Sequence, residues 1–261
     1  MYRLFLSFLL LLSIVGCKVK RTELSQQNNP TNLNTLSERL LQNIIEDKDT
    51  KALEEELANI SFDTLDSTLR TDAQKYAFWL NIYNAYIQIV LTKNPDLYKD
   101  RRDFFSREQL KIAGEQISFE KIEHGILRKS QWGFGLGYVR KWFPEKFERK
   151  LRVSKRDFRI HFALNCGAKD CPPVAVYTPE RLEEQLEKGT ERYLKQSSDY
   201  DKATNTAKVT SLFNWFRGDF GGKSGVKKIL KSYKIIDDTK DVSISYKNYD
   251  WTLDLDNFIT L

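Results

Sequence analysis

The sequence predicts an α+β fold: a single domain with a buried central helix, several amphipathic helices and a small, mostly antiparallel sheet. Three observations predict it. The stretch YAFWLNIYNAYIQIVL is apolar almost all round, the pattern of a helix enclosed in a core. Several other segments carry a single apolar stripe at helical spacing. The strand-like runs are short and locally paired, without the strand–helix alternation of a doubly wound sheet. A chain of 261 residues, 13% of them aromatic, can bury one sizeable core or two small ones.

The first element is a leader. In MYRLFLSFLLLLSIVGC, Arg3 precedes an apolar run from Leu4 to Leu12, and IVGC closes the segment at Cys17. This is the pattern of a bacterial lipoprotein signal, cut before the cysteine so that its thiol is acylated, for example with palmitate. The run is too short for a comfortable span. We therefore expect residues 1–16 to be removed. Cys17 and the polar stretch to residue 35 then form a lipidated tether, and residues 36–261 the globular domain. Lys18 follows Cys17 with no acidic sorting residue, which places the expected anchor in the outer membrane, facing the periplasm. That compartment oxidises thiols and is poor in ATP and nicotinamides. The formal charge of +6 favours anionic surroundings such as lipid headgroups. No basic block is dense enough to suggest nucleic acid.

The globular elements follow in order. Leu36, Leu40, Ile44, Leu53 and Leu57 predict helices between Leu36 and Ile60, the second starting at Asp49 or Thr50. The apolar helix runs from Thr71 to Leu91, capped by Thr71 or Asp72 and ended by Pro95. QLKIAGEQISF reads as a hairpin turning at Gly114. Phe119 to Arg128 reads as a short helix capped by Ser118. QWGFGLGYVRKWFPEKF is a Gly- and aromatic-rich loop. Its aromatics are expected mainly to cap a core, with a lid or a glycan- or lipid-facing surface as the other reading. RDFRIHFAL reads as a strand by alternation. Thr178 should cap a helix with Pro179 at its first position. GVKKILKSY is a short helix, and DVSISYKNYDWTLDL a strand followed by loop.

Three clusters could carry chemistry. His161, Cys166 and Cys171 lie in RIHFALNCGAKDCPP. The cysteines form a disulfide, or Cys166 is a thiol nucleophile activated by His161, or both are inert buried thiols. The second cluster is SFEKIEHGILR. His124 is four residues from both Glu120 and Arg128, and Arg128 at that spacing opposes protonation of the ring. Either His124 is a base or ligand oriented by a carboxylate such as its i,i+4 neighbour Glu120, or the helix is an ion-paired surface with a partly buried histidine, Glu123 and Arg128 bracing the loop that follows. The third is FWLNIYNAY. Asn81 and Asn84 are buried amides that need partners; they line a site or fix a neighbouring loop. GDFGGKS is one residue short of a phosphate loop, and GFGLG lacks a strand–helix frame, so no nucleotide is expected. The His and Cys positions fit no zinc-module spacing, so no metal or other cofactor is expected either.

Five motifs in this order, AFWLNIYNAY, IEHGILR, RIHFALNCGAKDCPP, LFNWFRGDFGG and YDWTL, resemble the bacterial and plant domain-of-unknown-function family number 547, across roughly residues 38 to 257. The resemblance implies no established reaction. Its bacterial members are often predicted to be exported or lipid-anchored, and some plant members stand beside glutaredoxin-like domains. It adds Tyr83, Pro172, Trp215, Asp219 and Phe220 to the positions above. This chain has Asp254 where the family usually has Asn. Two functions follow. The favoured one is a lipid-anchored envelope module that binds a peptide, glycan or protein through Asn81, Tyr83, Asn84, Arg128, Trp215 and Asp219, with Cys166–Cys171 as a disulfide. The alternative is a thiol hydrolase or acyl transferase acting on envelope amides or esters through Cys166 and His161, with His124 and Glu123 assisting.

Overall fold

The computed structural model describes residues 32–261. The leader, Cys17 and most of the expected tether lie outside the described residues. The first helix, α1 (Leu33–Ile45), begins inside the stretch expected to be tether. Asn32 caps it by accepting from the N–H groups of Asn34 and Thr35. Leu33, in a stretch with little to bury, is fully buried.

The next helices are α2 (Lys51–Asn59) and α3 (Phe62–Thr68), followed by the central α4 (Asp72–Lys93). Thr71 and Gln74 form a reciprocal capping box at the start of α4. From Tyr76 to Ile89 every residue is buried, as its unbroken apolar pattern predicts. α1 packs along α4, and Asn94–Pro95 ends it, leading through a 3₁₀ turn into α5 (Arg101–Ser106). The expected hairpin is β1 (Leu110–Ile112) and β2 (Glu115–Ile117). Its two turn residues, Ala113 and Gly114, both have positive φ, the geometry of a type I′ turn.

Three local expectations are corrected. The segment after Ser118 is helical and Ser118 does cap it, but Lys121–Leu127 is wound as a π-helix. Arg128 N–H donates to Glu123 C=O and Ser130 N–H to Gly125 C=O, each five residues back. RDFRIHFAL is no strand: Phe158–Phe162 is a 3₁₀ helix whose start is capped by Asp157. The segment holds one β-branched residue, and every residue from Ile160 to Leu164 is buried, so the alternation had no outer face to mark. Finally, α7 (Leu182–Ser197) begins beyond Pro179, with Arg181 at its N-cap position and no side-chain cap, while the Gln185 side chain accepts from Thr178 N–H.

After α6 (Lys146–Leu151) and α7, three strands form a second small sheet: β3 (Asp199–Asp201), β4 (Thr206–Val209) and β5 (Ser243–Tyr246). β3 and β4 are antiparallel and β4 and β5 parallel, with α8 (Leu212–Trp215) and α9 (Gly222–Ser232) in the crossover. The fold is α+β, with two small sheets in place of one. Buried residues form two clusters, a large one around α4 and a smaller one around Phe213, Phe220 and Val209. The 3₁₀ helix joins them: Ile160 belongs to the first and Phe162 to the second. No helix among the described residues is long and apolar enough to cross a membrane.

Candidate functional site

His161 lies between Ile160 and Phe162, at the seam of the two clusters. There a cavity of about 460 Å³ opens, within the range of small-molecule sites. Its walls are largely aromatic. Tyr83 of α4 and Phe105 contribute on one side, Trp215, Phe216, Tyr249 and Trp251 on the other. Trp215 packs on both Tyr249 and Trp251, with ring centroids 4.9 and 5.4 Å away. Glu120, Glu123, His124 and His161 supply the polar lining, and Cys166 and Pro172 lie beside them.

A buried polar chain fixes this lining. Asp219 is its hub. One carboxylate oxygen accepts from Arg128 Nε at 2.6 Å and from His161 Nε2 at 2.9 Å, while the other accepts from Arg156 at 2.8 Å. Burial alone would raise the Asp219 pKa. The bonds and charges of His161 and Arg128 outweigh it and bring the group down to about 2. Asp219 is therefore an acceptor only, which makes His161 Nε2 the donor and leaves Nδ1 with a lone pair. Nδ1 has no hydrogen-bond partner among the described residues. Phe216 stacks on the His161 ring at 4.0 Å and carries the Arg128 guanidinium over its own ring at 4.7 Å.

Arg128 also reaches His124. Its Nη1 donates to His124 Nδ1 at 2.9 Å, four residues back, so the neutral ring carries its proton on Nε2. Burial first, then the charges of Arg128 and His161, push His124 down to about 3. Burial likewise lowers His161, with the Asp219 bond opposing it. Glu120 is not the carboxylate beside His124. Glu123 is, 3.4 Å from Nδ1. A carboxylate there sets a negative charge against the Nδ1 lone pair; a carboxylic acid does not. Burial raises Glu123 to about 7, with Asp219 and Glu120 adding to it and Arg128 opposing. At neutral pH the lining thus holds a ring acceptor, a ring donor and a half-ionised carboxyl, over an Arg128–Asp219 pair whose charges cancel.

The sulfurs of Cys166 and Cys171 lie at disulfide distance, 2.02 Å apart. Tyr249 donates to the Cys171 sulfur, tying the bridge to the aromatic wall. With the bridge closed Cys166 has no thiol, and the His161 ring expected to serve it is bonded through Nε2 to Asp219. Asn81 and Asn84 do not line the cavity. Asn81 accepts from Tyr177 N–H and donates to Tyr177 C=O, both at 2.8 Å. Asn84 accepts from Asn165 N–H at 2.9 Å and donates to Ala163 C=O at 3.0 Å. Both amides fix backbone on either side of the cysteine loop. No cluster of three or more His, Cys, Asp or Glu placed to hold a metal occurs among the described residues.

Sequence reasoning had not singled out Phe216, Arg156, Phe105, Tyr249 and Trp251 as site residues. The YDW motif was a signal for the last two. Nothing local marks Arg156, whose partners are 19 and 63 residues away.

A family model described as "Protein of unknown function, DUF547" matches residues 67–194. That is shorter than the expected span and leaves LFNWFRGDFGG and YDWTL outside the match. No curated protein and no solved structure matches the chain.

Proposed function

The chain carries a DUF547 domain over residues 67–194, and from that premise we propose that it is a lipid-anchored module of the bacterial envelope that binds a small amphipathic ligand. The observation that carries this reading is the pairing of aromatic walls with a pre-set, charge-balanced polar lining in one cavity. A ligand with an apolar body and a neutral hydrogen-bonding head, an amide or a hydroxyl, meets both. Its donor finds His161 Nδ1 and its acceptor finds His124 Nε2–H. The aromatic walls take the body, and the Cys166–Cys171 bridge holds the loop that forms one side. Anchoring is through Cys17 to the outer membrane, facing the periplasm, as the leader argues.

Octanamide and 1-octanol are the probes, followed by calorimetry and thermal shift. Binding is expected, weakened about tenfold or more by Trp215→Ala through lost aromatic contact. If neither probe binds at millimolar concentration, or if Trp215→Ala leaves affinity unchanged, the reading fails. The anchor is tested separately. Protein recovered from its own cells should carry acyl mass at Cys17, and Cys17→Ser should release it from the membrane fraction.

A further inference from the structure

The cavity mouth is bordered by Gly133, Phe134 and Leu136, the start of the aromatic loop. The loop is tightly built. Trp132 N–H donates to Val139 C=O, Tyr138 N–H to Gly135 C=O, and Lys141 N–H to Ser130 C=O, all at 2.7–2.8 Å. Gly218 N–H and Arg156 hold its Leu136 and Gly137 carbonyls. Gly137 sits so close to Gly218 and Asp219 that a Cβ on it would lie 2.6 Å from the Asp219 carboxylate. Leu136 is held at a positive φ, unusual for a branched side chain.

Against this ordered frame, the large apolar side chains face outward. Phe134 is 85% exposed, Trp142 86% and Phe143 93%, with Trp132, Tyr138 and Val139 about half exposed. Aromatics expected to cap a core are instead half to almost fully exposed. Large exposed apolar side chains gathered on one ordered loop mark an interaction surface. Guanidinium groups lie in the loop and just after it. Arg140 and Arg149 are exposed and have no ion-pair partner among the described residues. Arg152 is close enough that their charges, after burial, push its own pKa down. Tryptophan, tyrosine and phenylalanine beside unpaired arginines are the composition of elements that sit at the boundary between headgroups and acyl chains.

We propose that residues 132–143 insert into the interface of an anionic bilayer, so that the cavity faces the membrane and takes its ligand from it. Charge complementarity selects this occupant. The arginines meet anionic headgroups, while the apolar side chains need a phase with no fixed shape. The insertion stands without the Cys17 anchor; the loading of the cavity rests on the ligand reading above.

The test uses the mature chain from residue 17 with Cys17→Ser, so that no acyl chain contributes. Binding is measured by co-sedimentation with phosphatidylglycerol–phosphatidylethanolamine vesicles and with phosphatidylcholine vesicles. The anionic vesicles should bind it better. The double variant Trp142→Ser/Phe143→Ser should lower its partition about tenfold or more. Arg140→Glu should lower binding to the anionic vesicles only. The altered side chains are exposed, so the unfolding midpoint should stay put. Failure to bind anionic vesicles, or equal binding by the double variant, overturns the proposal. So does a dimer in sedimentation velocity that the double variant dissolves, because the occupant is then a second copy of the chain. Octanamide binding by the same protein, measured without vesicles, tells failure of the loop from failure of the cavity.

Discussion

Asp219→Asn probes the hub of the site. The substitution keeps shape and removes a charge. The carboxylate has two accepting oxygens and uses both, one for Arg128 and His161, the other for Arg156. An amide has one acceptor. If it faces Arg128 and His161, its NH₂ faces the Arg156 donor; if it turns, two donors are stranded. Either way the Arg128 charge, 1% exposed, loses its counter-ion. Breaking a buried pair from one side costs about 3–5 kcal/mol, and the retained shape argues for the lower end. For a body of this size, about 3 kcal/mol lowers the unfolding midpoint by about 6–12 °C. Circular dichroism melts at neutral pH measure it. A cycle with Arg128→Met tests the cause. With both residues replaced no charge is left unpaired, so the double variant should be more stable than the two single losses predict, by at least about 1.5 kcal/mol. A midpoint within about 2 °C of the parent, or strict additivity, would refute the hub.

The chain has two histidines, which makes ring titration by NMR direct. Near pH 5.5 a free imidazole is about 90% protonated; here His124 should still be neutral and His161 less protonated than a free ring. The unfolded chain binds protons at His124 from about 6.5 downward and the folded chain only from about 3, so this group lowers stability as pH falls through that window. Glu123 acts in the opposite sense. Folded, it keeps its proton up to about 7 against 4.5 unfolded, so its contribution declines as pH rises between those values. Glu123→Gln should therefore gain more stability from pH 5 to 7.5 than the parent does in urea titrations; an equal or smaller gain counts against a buried neutral carboxyl. Asn81→Leu strands the Tyr177 N–H and C=O and should cost about 2–6 kcal/mol in urea unfolding, with a loss below about 1 kcal/mol speaking against the backbone clamp. Alkylation should find Cys166 and Cys171 blocked until reduced. Replacing both with Ser should cost about 2 kcal/mol for so short a loop; two freely alkylated thiols would reopen the thiol alternative.

The legible parts of this chain are those where local chemistry and burial agree. α4 was readable because a helix apolar on every face has few other places to lie, and its capping box is local. The hairpin was readable because two residues at its tip must take positive φ. The 3₁₀ turn carrying His161 was not, since enclosure on all sides erases the periodicity that separates strand from helix. The motifs named most of the polar lining, including His124 and His161, and Arg128 and Asp219 in the buried chain behind it. They could not say that Asp219, 58 residues from His161, is its partner. Nor could they assign Asn81 and Asn84 to backbone clamping in preference to the cavity. Such pairings depend on how distant segments dock.

The wide helix at Lys121–Leu127 has one last consequence, and it concerns chain length. A π-turn holds about one residue more than an α-turn. Deleting one residue inside it would let the segment relax to ordinary winding while Ser118 still capped its start. Each later residue then stands one step fewer from the cap but takes about 100° per step in place of about 80°, so the side chains beyond the gap keep nearly their facing. A deletion ahead of Glu123 would thus leave Glu123, His124 and Arg128 on the side of the segment they hold now, with the fold largely intact. The segment can thus absorb a one-codon deletion that an ordinary α-helix could not, and a profile that penalises every gap alike would miss that tolerance.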